Sequence, residues 1–152
     1  MISARIEDLN AAIELHDSVL SRLERRGTQL IVTLTAYVHR STGRPGIDGG
    51  SGWTQTARLI LRAGSAHGDI AGLPFEISDG HIESAAGVER NVIPVPWPHG
   101  GAAELHLLGR RGERALLIGQ ALTIQWVGEA VCVEEFRGHS PRAAVPGPES
   151  NG

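Results

Sequence analysis

From Leu30 to Val38 the chain alternates with a period of two. Leu30, Val32, Leu34, Ala36 and Val38 fall on one side, and Ile31, Thr33, Thr35 and Tyr37 on the other. A run like this, rich in β-branched residues, reads as a strand with one face toward a core. A strand of this kind needs strand neighbours, and the rest of the chain supplies them.

A short strand through Leu20 and Leu23 leads into the turn Arg25-Arg26-Gly27. Gln55 to Arg62 carries Leu59, Ile60 and Leu61 and reads as a further strand. Phe75 to Glu83 is predicted as a hairpin turning at Asp79-Gly80, the strongest short-range hairpin signal. Val88 to Val95 reads as a strand that Pro94 and Pro96 push to a sheet edge or out of the sheet, and Pro94 to Gly101 as a stiff loop. A second hairpin joins Glu104–Leu108 to Arg114–Ile118 through Arg110-Arg111-Gly112-Glu113. A third joins Ala121–Val127 to Ala130–Phe136 at Gly128-Glu129. One helix is expected, from about Ser3 to Glu14: Ile2, Ile6, Leu9 and Ile13 recur at helical spacing, Glu7 and Asp8 suit its first turn, and Ser3 is its N-cap. The expected class is therefore mainly β. About eight to ten short strands with regular turns form an antiparallel β-sandwich or barrel, with one N-terminal α-helix over an open end or edge. Residues 1–137 make a single domain, and 138–152, rich in Pro, Ala, Gly and Ser without hydrophobic period, read as a disordered tail.

Composition excludes several chemistries. A formal charge of −3 over 152 residues provides no electrostatic case for nucleic acid or an anionic membrane. All 14 cationic side chains are Arg, so Schiff-base chemistry, a Walker A loop and a Ser–Lys dyad are ruled out. Such a bias, with abundant Ala, Gly and Pro, fits a GC-rich bacterial genome. The single cysteine, Cys132, rules out a disulfide framework or a cysteine zinc site, and its apolar neighbours predict a buried, inert thiol. The acidic N-terminal stretch lacks a signal-peptide core and no apolar run is long enough to span a bilayer, so a cytoplasmic protein is expected.

Candidate sites begin with the stretch from His39 to Trp53. It is turn-rich and far longer than the usual connection of about 4–6 residues. Long ordered connections tend to carry function, with His39 and Asp48 as polar contacts here and Trp53 as an aromatic anchor. The plainer alternative is a hairpin connection after which Trp53 merely packs inward. Gly49-Gly50-Ser51-Gly52 is no phosphate loop, because the lysine is missing, and Ser51 is in no nucleophile elbow. His16-Asp17 could pair as acid and base, or satisfy backbone groups at a turn. His67-Gly68-Asp69 and His81-Ile82-Glu83 hold their polar residues two apart, on one face of a strand, where each pair could offer two metal ligands. The second also matches half of a zinc deaminase signature, whose cysteine half is absent. Trp97 among prolines suits either polyproline-type recognition or edge protection, and Glu134 and Glu135 point to opposite faces.

The segment Leu15-His16-Asp17-Ser18-Val19-Leu20, followed by the long alternating strand, resembles small uncharacterised bacterial β-rich families over about the first 40 residues. Some of these are similar to immunity proteins of polymorphic toxin systems. The resemblance implies a non-enzymatic protein that binds a partner, with His16 and Asp17 as a structural signature. The functional expectation is accordingly a protein-binding, immunity-like domain without cofactor or catalytic residue, contacting another protein through His39, Asp48, Trp53, His16 and Asp17. A homo-oligomer remains open, as does the identity of any metal. The alternatives are a β-barrel holding a small ligand in a mouth rimmed by Trp53, Trp97 or Trp126, and a metal-assisted hydrolase built on the His/carboxylate pairs.

Overall fold

The computed structural model describes residues 10–41 and 50–136. Its strands are β1 (Asn10–Arg26), β2 (Gln29–Ser41), β3 (Gly50–Arg62), β4 (Ser65–Gly68), β5 (Phe75–Ser84), β6 (Gly87–Arg90), β7 (Val92–Val95), β8 (Ala103–Gly109), β9 (Arg114–Gly119) and β10 (Ala121–Phe136). They join into one antiparallel sheet in the order β10-β3-β2-β1-β5-β8-β9-β4, with β6 added beside β5 and β7 beside β1. The sheet is not closed into a barrel. It curls over a single core, and Leu61 of β3 packs against Gly119 of β9 although the two strands are far apart in the strand order.

The alternation from Leu30 to Val38 sets this core. Leu30, Val32, Leu34, Ala36 and Val38 are all buried, and across the ladder Leu61, Leu59 and Ala57 of β3 face Leu30, Val32 and Leu34. The other half of the sheet contributes Ile77, Ile82, Leu105, Leu107, Ala115 and Leu117 to the same cluster. The short β7 pairs only with β1 and carries Pro94, which cannot donate to a further strand.

Four expectations are corrected. Among the described residues there is no helix, and 10–14, the end of the expected one, lie in β1. Ile13 and Leu15 are both fully buried with Glu14 between them, which is a period of two. The ladders to β2 on one flank and β7 on the other use backbone groups that a helix would have satisfied internally. Residues 3–9 of that expected helix lie outside the described residues, as do Asp48 and the expected tail at 138–152.

Asp79-Gly80 is not a turn. It lies within β5, just after a bulge where the register against β8 shifts between Ile77 and Asp79, and the chain reverses at Ala85-Ala86 instead. Gly80 is required for a different reason: a Cβ there would come 2.7 Å from the backbone oxygen of His106. Gly128-Glu129 is likewise a bulge and not a hairpin. β10 continues along β3, with Val127 opposite Thr56 and Val131 opposite Thr54, and Gly128 takes a φ of 72°. Cys132 is exposed, because the β10 segment that carries it lies at the rim of the sheet, beside the exposed Val131 and Val133.

Strands β2 and β3 also run further than their patterns. His39 pairs with Gly52 and Ser41 with Gly50, which leaves 42–49 as the connection. Among the described residues no helix is long and apolar enough to cross a membrane.

Candidate functional site

The polar residues flanking that connection are organised by a defect in β1. Glu14 pairs with Tyr37 and Val19 with Thr35, so residues 15–18 bulge out against a single residue of β2. Ser18, 1% exposed, stitches the bulge: its hydroxyl donates to the Glu14 carbonyl at 2.7 Å and accepts from the Tyr37 amide at 2.9 Å. Asn91, between β6 and β7, holds it from the other side. With a φ of 65°, a conformation asparagine tolerates better than most residues, it accepts from the Leu15 amide at its carbonyl (2.7 Å) and from the His16 amide at its side chain (2.9 Å).

The same Asn91 side chain donates to His16 Nδ1 at 2.6 Å. That bond leaves Nε2 as the protonated nitrogen of the neutral ring, and Nε2 lies 3.1 Å from Asp17 and 3.9 Å from Glu14. The second carboxylate oxygen of Glu14 is 3.3 Å from Nδ1 of His39. His16, Asp17 and His39, all singled out from the sequence, are therefore brought together, with Glu14 as the link that the sequence did not mark. Beside them Tyr37 crosses over the bare backbone of Gly52 to donate to Glu134 of β10. Burial first, then the hydrogen bond and negative charge of Glu134, hold the Tyr37 hydroxyl well above its usual pKa.

The opposite face of the same strand ends carries a different arrangement. Arg40 is only 6% exposed, and its guanidinium stacks over the Trp53 ring with Cζ 4.3 Å from the centroid. Among the described residues its Nε has no hydrogen-bond partner and no carboxylate forms an ion pair with it. Burial pushes its pKa down. Trp53 is fixed in turn by a bond from its Nε1 to Ser51 at 2.6 Å. Trp53 lies within β3 and packs partly on the core, as the plainer alternative expected, while Arg40 is a functional candidate that sequence reasoning missed. An arginine beside a turn-rich stretch reads as a surface residue, and only the inward parity it shares with Val38 could have signalled its burial.

The remaining candidates lie elsewhere. His67 bonds Ser65, whereas the Asp69 carboxylate accepts from the Arg114 amide, so this pair does not converge. His81 and Glu83 do share a face, opposite His106 and Glu104 of β8. Trp97 and Trp126 line a groove of about 390 Å³ that does not include Trp53. Compared with known protein families, with curated proteins and with solved structures, the chain matches none.

Proposed function

We propose that this chain is a cytoplasmic protein-binding domain that engages its partner at the ends of β2 and β3, with Arg40 as the recognition group. The observation carrying this reading is Arg40 itself, a residue only 6% exposed that among the described residues has no hydrogen-bond partner at Nε and no ion pair. Taking a charge out of water costs several kcal/mol unless it gains a counter-charge and hydrogen bonds. A carboxylate of a partner protein supplies both, in a planar geometry that suits the guanidinium fork. Arg and Trp are also the residue types that carry most interface energy when packed together at a desolvated centre. Glu14, His16, Asp17 and His39 lie on the opposite face of the same strand ends and offer a second polar surface. In the immunity-like form of this reading the partner is a toxin domain that presents an acidic side chain.

The test is quantitative co-purification with wild type, Arg40→Met, Trp53→Ala and Arg110→Ser, the last an exposed ion pair with Glu76 on the other half of the sheet. One protein should be recovered stoichiometrically with wild type and Arg110→Ser and lost with the other two. Equal recovery by all four, or by none, overturns the reading.

A further inference from the structure

Two strands away from that surface, four metal-ligating side chains meet on the outer face of the sheet. β5 and β8 are antiparallel neighbours, with His81 directly opposite His106 and Glu83 directly opposite Glu104. On each strand the His and Glu are two residues apart and so share a face. Ile82 and Leu105, between them, are 1% and 2% exposed, which turns all four polar side chains outward.

The geometry at the crossing is tight. The two imidazoles stack with centroids 4.3 Å apart and planes within 14°. Both Nε2 atoms approach the same oxygen, Glu83 Oε2, at 2.9 Å from His81 and 3.4 Å from His106. Glu104 Oε1 reaches His106 Nε2 at 3.3 Å. A tetrahedral ion with ligands at about 2.1 Å sets neighbouring ligand atoms about 3.4 Å apart. The three atoms of His81, His106 and Glu83 lie within 4.8 Å of one another, so small side-chain rotations bring them to that spacing.

We infer that His81, Glu83, His106 and Glu104 form a binding site for a late first-row divalent cation, Zn²⁺ or one of its neighbours. Imidazole nitrogens with carboxylate oxygens are the donor set that selects these ions over Mg²⁺ or Ca²⁺. His81, Glu83 and His106 supply three ligands and Glu104 the fourth. The side chains of Glu83 and Glu104 are 42% and 45% exposed, which makes this an accessible site at the surface and not a structural one sealed in the core. A groove of about 410 Å³ runs from His81 and His106 to His67. His67 stands in the same cross-strand row, opposite Leu116, which itself faces His106. Two strand spacings, about 9.6 Å, separate it from His106, too far to share the ion.

The test is calorimetric titration of tag-free, metal-stripped protein with Zn²⁺, and the visible absorption of Co²⁺ titrated into the same protein. Wild type should bind one ion per chain and produce the intense Co²⁺ bands of a tetrahedral site. His81→Ala, His106→Ala and Glu83→Gln should each weaken binding at least about tenfold with unchanged far-ultraviolet circular dichroism, and His67→Ala should leave it intact. No saturable binding by folded wild type overturns the proposal. So does binding that survives in the His81→Ala/His106→Ala double variant, which would place the ion at Glu14, His16 and Asp17, or a loss in His67→Ala equal to that in His106→Ala.

Discussion

Replacing Arg40 by methionine should make the free protein more stable while abolishing partner binding. Methionine keeps the unbranched stem that packs at this position but removes the charge. What is lost is the stacking on Trp53, worth about 2 kcal/mol for a desolvated pair. What is relieved is the effective cost of holding an ion out of water, several kcal/mol where no counter-charge compensates it. Arg40 is 6% exposed, with Nε unpartnered and no ion pair among the described residues, so the relief outweighs the loss. The net gain is about 2 kcal/mol, which for a chain of this size raises the melting temperature by about 4–8 °C. Thermal unfolding by circular dichroism, with urea unfolding to check that the m-value is unchanged, measures it. A melting temperature that falls by several degrees would refute the reasoning, because it would mean that the guanidinium is already compensated within the free chain.

Other consequences are local. Asn91→Ala removes the side-chain bonds to the His16 amide and ring and leaves a β-carbon at a φ of 65°, so urea unfolding should show a loss of about 2–4 kcal/mol, part of which Asn91→Gly recovers. Gly80→Ala drives a Cβ toward the His106 carbonyl 2.7 Å away and should cost about 1–3 kcal/mol by the same measurement, although sequence alone would place this glycine in a tolerant turn. Tyr37 is the only tyrosine, so ultraviolet titration reads it alone. Its folded pKa is raised, so the native phenol should stay protonated well above the ordinary value of about 10. Above that pH the unfolded chain ionises first and binds fewer protons than the native state. Stability should therefore fall with rising pH more steeply in wild type than in Tyr37→Phe.

The period of two made the strands legible, and with them the antiparallel class. It failed where a local signal had two structural meanings. Ile6, Leu9 and Ile13 fit a helical stripe, but Ile13, Glu14 and Leu15 equally fit a strand, and the ladders with β2 and β7 decided for the strand. Asp79-Gly80 and Gly128-Glu129 carry turn chemistry, but the sheet uses the first for a close approach to the His106 backbone and the second for a bulge, choices set by neighbouring strands and invisible in the segment itself. The sites were legible in halves. His81-Ile82-Glu83 stood out by its spacing, yet Glu104-Leu105-His106 has the same spacing, and only the register between β5 and β8 makes the two one cluster. His16, Asp17 and His39 were marked from local chemistry, whereas Asn91, 75 residues from His16, is tied to it purely by the fold. Arg40 was missed because burial of a charge is a property of packing, not of sequence pattern.

The most direct measurement is the affinity of the co-purified partner, once isolated, for wild type and Arg40→Met by titration calorimetry. The account predicts a loss of at least about 100-fold, as for truncation of a buried hydrogen-bonded charge pair, in a variant that melts higher than wild type. Unchanged affinity in the folded variant would contradict it and move the binding surface away from Arg40.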